Sequence, residues 1–285
     1  MNSLDRSRLL ARIFTRPVME SVARRGCARD IVDKLARLQV GARREHSCVA
    51  DLLDAGLNEL GRDYRCEYVY KAAIASRIVF GKHSPRTASL AIELNVAGSI
   101  VDAAVFNGTS TAYEIKTEFD SPVRLTTQTP AYLRAFDRVN LVTHPALADK
   151  YAALLDPRVG IYVLSKDDSL SERRCAVSDV SRVEPSVVFR MLRRAEYMAV
   201  VVKHFGPQPS LPNGLVDAHY LSLFGQLSSE QAHRALVAAM RARTTDAESV
   251  EYLRALPRSL RALGYATPLS APQRRQLLTA LSAPP

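Results

Sequence analysis

The sequence predicts an α/β protein in which a mixed β-sheet core lies between helical N- and C-terminal regions. Apolar residues recur every three or four positions in both terminal regions, a spacing typical of amphipathic helices. Between these regions, short strand-like runs follow one another in the order β-β-β-α-β. The chain has 285 residues, of which 47% are hydrophobic. It is therefore long enough for one large domain or two modest ones.

The N-terminal region, residues 1–86, is predicted to be helical. Ile31, Leu35 and Leu38 form one apolar helix face, and a second leucine-rich helix is expected to end at Gly61. The next segment continues as a helix or as a helix that turns into a strand. The first segment lacks the apolar core and cleavage site of a secretory signal, so we interpret it as the first helix of a cytoplasmic protein.

The central region, residues 87–180, contains five predicted strands. Asn107-Gly108 is expected to join the second and third strands as a two-residue turn in which both positions have positive φ. Ser121-Pro122 begins a helix that crosses from the third strand to the fourth. The predicted strands are residues 89–96, 99–106, 111–117, 137–144 and 159–167.

The C-terminal region, residues 181–285, is predicted to return to helices. One long helix is expected over residues 185–206, and a proline-rich linker follows it. Ser228 and Gln231 have the spacing of a capping box at the start of another helix. Residues 271–282 form the last predicted helix.

The net charge of +10 is distributed unevenly along the chain. Basic residues exceed acidic ones at both ends, whereas acids exceed bases in the centre. Basic flanks suit a polyanion such as nucleic acid, and a local excess of carboxylates suits a cation; solvated helix faces account for the same charges equally well. No apolar run approaches the roughly 18 residues of a membrane span. The four cysteines form no Cys-x-x-Cys pair, which argues against a zinc site or a disulfide framework.

The strongest candidate site lies on the second and third predicted strands. Glu114 and Lys116 are two positions apart and therefore project from the same face. The hairpin brings Asp102 alongside them, and Glu93 on the first strand is within reach. Converging buried carboxylates are costly unless they are paired or bound to a cation, and oxygen ligands of this number suit Mg²⁺ or Mn²⁺. A simple ion pair between Asp102 and Lys116 is the structural alternative.

The pattern of Asp102 followed by Glu114-x-Lys116 on the next strand resembles the PD-(D/E)XK nuclease superfamily. Gln128 and Tyr132, on the helix after these strands, resemble the Gln-x-x-x-Tyr motif of RecB-type nucleases. The resemblance covers roughly residues 88–165. It extends to a sce-type family of uncharacterised bacterial proteins, named after a locus tag, through Glu93-Leu94, Asp102, Tyr113–Lys116, Arg124-Leu125 and Gln128.

This resemblance implies a restriction-endonuclease-like core and a nuclease that uses Mg²⁺ or Mn²⁺ to hydrolyse phosphodiester bonds, with DNA as the expected substrate. The implied catalytic residues are Asp102, Glu114, Lys116, Gln128 and Tyr132. The implied metal ligands are Glu93, Asp102, Glu114 and the Ile115 carbonyl. The implied contacts with nucleic acid are made by Arg124, Gln128 and Tyr132.

The sequence departs from the superfamily pattern at several positions. Val101 stands where the superfamily has proline, Ile100 where an arginine often precedes the aspartate, and Thr117 where a serine follows the lysine. Pro130 lies inside the Gln128–Tyr132 helix and is expected to kink it and displace Tyr132.

Two further hypotheses stay open at this stage. The first is a catalytically inactive nuclease-fold module that binds nucleic acid or a protein partner, in a defence or mobile-element role. The second is a helical interaction protein that recruits a partner through its C-terminal helices. Loss of the hairpin acids would leave the activity of such an interaction protein unchanged.

Overall fold

A computed structural model of the protein describes residues 2–42, 46–121 and 125–285. Its centre is a six-stranded mixed sheet in which the strands lie in the same order as in the chain. Four of the predicted strands agree with the structure to within one residue at each end. The strands are β1 (Ser89–Val96), β2 (Ser99–Phe106), β3 (Ser110–Lys116), β4 (Arg138–Thr143), β5 (Gly160–Leu164) and β6 (Leu170–Arg174).

The sheet combines antiparallel and parallel pairs. β1, β2 and β3 form an antiparallel meander, β3, β4 and β5 are parallel, and β6 is antiparallel to β5. Parallel neighbours need crossover connections, which α6 (Leu125–Leu133) and α7 (Ala148–Leu154) provide. The carboxyl ends of β3, β4 and β5 therefore meet at one edge of the sheet.

The fifth strand is shorter than predicted. It ends at Leu164 because the chain turns back between Ser165 and Ser169, whose backbone groups hydrogen-bond to each other at 3.0 Å. The chain then returns as β6, which the sequence analysis did not predict. β6 is short, charged and mostly exposed, so it lacks the apolar alternation by which strands are found.

The β1–β2 and β2–β3 hairpins differ from the prediction of a two-residue turn at Asn107-Gly108. Ala97 and Gly98 join β1 to β2 with φ values of 48° and 83°, as a two-residue primed turn requires. Phe106 pairs with Ser110, so the loop between β2 and β3 has three residues, and of these Gly108 alone has positive φ. The prediction of a two-residue turn at Asn107-Gly108 is therefore wrong, although the hairpin itself is present.

The N-terminal region is helical, as predicted. The segment expected to be helix or helix-to-strand remains helical, as α5 followed by a π-helix over Ile74–Lys82. A π-helix of this length is unusual, because such turns are mostly brief insertions in α-helices and occur frequently at functional sites. The α-helices are α1 (Ser3–Ala11), α2 (Arg16–Arg25), α3 (Arg29–Arg37), α4 (Val49–Asp63) and α5 (Glu67–Ala73).

The C-terminal region also returns to helices, with one difference from the prediction. The prediction of a single long helix over residues 185–206 is wrong, because the segment is divided between α8 (Pro185–Met191) and α9 (Arg194–Phe205). Arg193 has extended backbone there, and its N–H donates to the Glu196 side chain in a capping box. The Ser228–Gln231 capping box is confirmed. The helices are α8 (Pro185–Met191), α9 (Arg194–Phe205), α10 (Asn213–Phe224), α11 (Ser229–Ala242), α12 (Ala247–Ala255), α13 (Arg261–Ala266) and α14 (Ala271–Ser282).

Two hydrophobic cores lie on opposite faces of the sheet. The first core joins Tyr113 and Ile115 of β3 to the N-terminal helices and to α12, α13 and α14. The second core joins Ala112 of β3 to α6 and to α8–α11. Because both faces are covered, polar side chains at the centre of the sheet are held in buried surroundings. No helix in the described part of the chain is long and apolar enough to cross a membrane.

Candidate functional site

Two of the three predicted acids lie on neighbouring strands at the same level of the sheet. On β1, Glu93 lies between Ile92, which pairs with Ala103, and Leu94, which pairs with Val101, and it is not itself paired with Asp102. The pairing of β2 with β3 ends at Ala103 and Tyr113, so the next residues in register are Asp102 and Glu114. Directly opposed residues have Cα atoms about 4.5–5.5 Å apart in a regular antiparallel pair. The structure therefore brings Asp102 and Glu114 close to each other.

Asp102 lies where β2 separates from β3. Its Oδ2 accepts a hydrogen bond of 2.7 Å from the backbone N–H of Ile115, a donor that must find an acceptor when it is buried. Burial, and then the negative charge of Glu114, raise the pKa of the Asp102 carboxyl from 3.8 to about 7, although the Ile115 hydrogen bond opposes this. Either a proton or a bound cation would relieve the cost of this buried acid.

The strict alternation expected along β2 breaks down at this point. Ala103 packs in the first core and Ala104 in the second, as alternation requires. Val101 should share the face of Ala103, but it packs in the second core instead. The alternation of faces is therefore interrupted between Val101 and Ala103, and the interruption coincides with the separation of β2 from β3 at Asp102.

Glu114 is buried, with 1% of its surface exposed, and both of its carboxylate oxygens have partners. Oε1 lies 2.9 Å from Nζ of Lys116, and Oε2 accepts a 2.9 Å hydrogen bond from the Tyr132 hydroxyl. Glu114 and Lys116 thus project from the same face, as their spacing predicts. Lys116 pairs with Glu114 and not with Asp102, so the alternative of an Asp102–Lys116 ion pair is not the arrangement found.

Helix α6 carries Tyr132 into the site. The displacement expected from Pro130 is wrong: α6 continues through Pro130, and Tyr132 is fully buried with its hydroxyl on Glu114. The hydroxyl of Thr129 donates to the Leu125 carbonyl at 2.5 Å, which adds a side-chain bond to this helical turn. Burial, followed by the charge of Glu114, raises the pKa of the Tyr132 hydroxyl, which therefore keeps its proton.

Gln128 lies on the same helix, one turn before Tyr132, and within hydrogen-bonding reach of its hydroxyl. The amide oxygen of Gln128 is buried and has no hydrogen-bond partner among the described residues. A buried acceptor left in this state costs about 1–3 kcal/mol. Its position beside the acids gives the site a third oxygen that could bind a cation.

Glu93 is held by basic residues of the N-terminal helices. Its carboxylate lies 2.9 Å from Nζ of Lys71 and 3.0 Å from a guanidinium nitrogen of Arg16. The hydrogen bond from Lys71 is the main cause that lowers the Glu93 pKa. Its backbone has φ 55°, which is rare for a residue with a side chain. The role of Glu93 as a metal ligand stays a prediction, and these ion pairs would have to open for it.

The sequence model of the bacteriophage P4 protein cII family matches residues 61–262, well over half of the 285-residue chain. The chain belongs to the bacteriophage P4 protein cII family. The matched range contains the whole sheet and all the candidate site residues. No curated protein and no solved structure matches the chain. Membership of this family agrees with the expected mobile-element link, whereas the PD-(D/E)XK assignment stays a prediction.

The structure of this cII-family member adds two residues that the sequence analysis missed. Glu67 and Lys71 of α5 both act on Asp102: the charge of Glu67 raises the Asp102 pKa and that of Lys71 lowers it. They also pair with each other at 2.5 Å. Their i, i+4 spacing on a predicted helix was a visible signal, but it does not reveal that this face turns towards the sheet.

Two predicted contacts of the cII-family chain stay predictions. Arg124, expected to contact nucleic acid, lies outside the described residues, as does Pro122 at the expected start of α6. Ile115 is buried in the first core with its N–H on Asp102. A metal-binding role for its carbonyl oxygen is not tested by these contacts.

The donor set of this cII-family member fits a magnesium ion better than a metal that needs several protein ligands. Within the described ranges, no three His, Cys, Asp or Glu side chains converge as a metal-binding group. Asp102 and Glu114 would supply two carboxylates, and Gln128 would supply an amide oxygen that has no described hydrogen-bond partner. Mg²⁺ is commonly bound through one or two carboxylates while it retains several waters.

Proposed function

We propose that this member of the cII family is a metal-dependent nuclease that hydrolyses phosphodiester bonds of DNA, built on a restriction-endonuclease-like core. The observation that carries the proposal is the buried carboxyl of Asp102 beside the Glu114–Lys116 pair. A purely structural ion pair needs one acid and one base. Asp102 is the second acid, and burial and the charge of Glu114 raise its pKa to about 7. Keeping such an acid buried lowers the stability of the fold, and carboxyls perturbed in this way cluster at functional sites.

The topology supports the same proposal. β1, β2 and β3 are followed by α6 and then by β4, which lies parallel to β3. We take this β-β-β-α-β order as support for the core that the PD-(D/E)XK resemblance implies. In this chain, as in the family pattern, the acids and the lysine lie on the hairpin, and the next helix supplies a glutamine and a tyrosine.

Asp102 and Glu114 are the residues that would hold Mg²⁺ or Mn²⁺, with the Gln128 oxygen beside them. Such an ion, when bound, stabilises negative charge on a phosphodiester and lowers the pKa of a coordinated water. Tyr132 orients the Glu114 carboxylate through its hydroxyl. The side chain of Lys116 is 12% exposed at the carboxyl end of β3. There its ammonium group can orient an attacking water or balance charge that develops on the phosphate.

A cleavage assay on single- and double-stranded DNA and RNA, with Mg²⁺ or with a chelator, tests the proposal. We expect Mg²⁺-dependent cleavage that falls by about 100-fold or more in Asp102→Ala, which removes a carboxylate that would hold the ion, and in Lys116→Ala, which removes the ammonium group beside the phosphate. Asp149→Ala, at an exposed acid of α7, is the matched control and should cut like the wild type. Circular dichroism checks that all the variants fold. Undiminished cleavage by either site variant would overturn the proposal.

A second candidate function is favoured by one observation. Both oxygens of Glu114 are already engaged, by Lys116 and Tyr132, as expected of a module that binds nucleic acid or a protein partner without turnover. Calorimetric titration with Mn²⁺ distinguishes the two functions. Binding that Asp102→Asn abolishes supports the nuclease, whereas no binding up to millimolar metal supports the inactive module.

A further inference from the structure

A cavity lies at the carboxyl edge of the sheet, between α4, α5, the π-helix and the turn after β5. Its volume is about 250 Å³, somewhat below the roughly 300–1,000 Å³ of pockets that hold drug-sized ligands. It is thus suited to a small ligand or to one group of a larger molecule. The charged side chains that line it are Arg62, Arg65, Lys166, Asp167, Asp168 and Arg258.

Arg65 is the buried charge of this cavity, with 5% of its surface exposed. Within the described residues, its hydrogen bonding is limited to one bond of 2.9 Å, from Nη1 to the carbonyl oxygen of Leu164. A guanidinium has five N–H donors, so most of its donors have no described protein acceptor. Burying a cation without a counter-charge is costly, and a bound anion would remove that cost.

Ser76 provides a second polar group without a partner. Ser76 lines the same cavity, and its hydroxyl oxygen is buried with no hydrogen-bond partner among the described residues. Ser76 lies in the π-helix, whereas Arg65 lies in the connection before α5. Two separate segments thus bring donors without described acceptors to the wall of one cavity. A ligand with several acceptor oxygens would satisfy Arg65 directly, and Ser76 once its hydroxyl rotates towards the space.

The two acids of the cavity are already engaged by protein groups. Asp168 forms ion pairs with Arg77, at 3.1 Å, and with Arg258. Asp167 accepts a hydrogen bond from the Ser165 hydroxyl. Neither acid forms an ion pair with Arg65 in the structure described. The charge of Arg65 is therefore not neutralised from within the cavity.

The position of the cavity relates it to the candidate active site. Lys116, Thr143 and Val163 form one row across β3, β4 and β5, and Leu164 follows Val163. Neighbouring strands lie about 4.8 Å apart, which places the Leu164 carbonyl roughly 10 Å along the sheet edge from Lys116. A nucleic acid carries one phosphate per nucleotide along each strand. One strand could therefore reach both sites through nearby phosphates.

We propose that this cavity is a phosphate-binding site in which Arg65 and Ser76 contact the phosphate oxygens. Guanidinium groups bind phosphate through paired N–H···O bonds, and the exposed side chains of Arg62 and Lys166 border the space. The phosphate belongs to a nucleic-acid strand terminus or to a free ion or nucleotide. The site does not depend on whether the Asp102 site is catalytic.

Thermal unfolding in rising concentrations of inorganic phosphate, against NaCl of equal ionic strength, tests the proposal. For the wild type we expect a saturable rise in Tm with phosphate. Arg65→Met should lose this rise and should be at least as stable as the wild type in phosphate-free buffer, because an unpaired buried charge has been removed. A purely structural role for Arg65 would instead lower the Tm in that buffer. Arg254→Gln, at an exposed arginine that does not line the cavity, is the matched control and should keep the phosphate response.

Ser76→Ala provides a second test, because its hydroxyl has no described partner whose loss would unfold the protein. We expect this variant to bind phosphate several-fold more weakly, and Asp102→Ala to bind it normally even if the nuclease proposal fails. Competition by short oligonucleotides with and without a 5′-phosphate identifies the source. Tighter binding of the phosphorylated strand assigns the site to a terminus, and equal binding assigns it to a free phosphate. A wild-type Tm that follows ionic strength alone, or an unchanged phosphate response in Arg65→Met, would overturn the proposal.

Discussion

At the scale of single residues, Asp102 combines two opposing requirements. Its hydrogen bond from Ile115 favours the ionised carboxylate, whereas burial and Glu114 favour the protonated acid. The second influence is the stronger, so the carboxyl titrates near neutral pH. Its protonation state, and therefore its effect on stability, changes within the physiological range.

This titration predicts how stability depends on pH without metal. The folded-state pKa is raised, so the stabilisation that Asp102 contributes is fully present below its ordinary pKa of 3.8 and is lost as pH rises through about 7. At about 1.4 kcal/mol per pKa unit, the effect is at most about 4 kcal/mol. Asp102→Asn should remove this part of the pH dependence, as measured by Tm in chelator between about pH 4 and pH 8. Asp149→Asn serves as the exposed control, and parallel curves for wild type and Asp102→Asn would contradict the assignment.

Adding Mg²⁺ should restore the stability that is lost when Asp102 ionises. We expect Mg²⁺ to raise the Tm of the wild type more at about pH 8 than at about pH 5, because a cation can replace the proton only when the acid is ionised. The measurement is a magnesium titration followed by differential scanning calorimetry at both values of pH. Asp102→Asn should show no such difference. An equal magnesium effect at both values of pH in the wild type would argue against binding at Asp102.

At the scale of elements, the hairpins show what sequence patterns can and cannot establish. The bounds of β1 and β2 follow from their strand-like runs of residues and agree with the structure. The turn assignment does not, because Asn107-Gly108 has the favoured residues whereas Ala97-Gly98 has the required length. Ala97 adopts positive φ despite its side chain, since the pairing on both sides leaves two residues for the turn. The register of β1 and β2 therefore determines the turn, against the usual backbone preference of alanine.

Ala97→Asn tests this view of the β1–β2 turn. Asparagine tolerates left-handed backbone better than alanine, and position 97 is exposed. We expect the free energy of unfolding to rise by up to about 1 kcal/mol, measured by urea denaturation. Gly108→Ala is the opposite case, because its φ of 97° is strained for any residue with a side chain. A loss of stability in Ala97→Asn would contradict the primed turn.

At the scale of the whole molecule, the fold class and the pair Asp102–Glu114 could be predicted, because both depend on local alternation and one hairpin. The contribution of Glu67 to the site could not, since it depends on how α5 packs against the sheet. For the same reason the sequence did not show that the first and last helices share one core. In that core α14 packs on α2 and α4, more than 200 positions apart in the chain.

Leu277→Ala tests this long-range coupling. Leu277 of α14 is buried in the first core, and its truncation should cost about 2–5 kcal/mol. Because the core is shared, hydrogen exchange should accelerate in α2 as well as in α14. Leu278→Ala, at the neighbouring partly buried position, should have a smaller effect. Faster exchange confined to α14 would show that the N-terminal helices do not depend on it.

The agreement between strand order and chain order has a consequence for synthesis of the protein. Each strand from β2 onwards adds to the edge formed by the strand before it, and none has to insert between two earlier strands. As the chain leaves the ribosome, the sheet can therefore grow in one direction through pairings of short sequence separation. The first core, by contrast, cannot close until α14, near the end of the chain, has emerged. Between the emergence of α11 and that of α14, a finished sheet would carry one covered face and one face that still lacks its last helices.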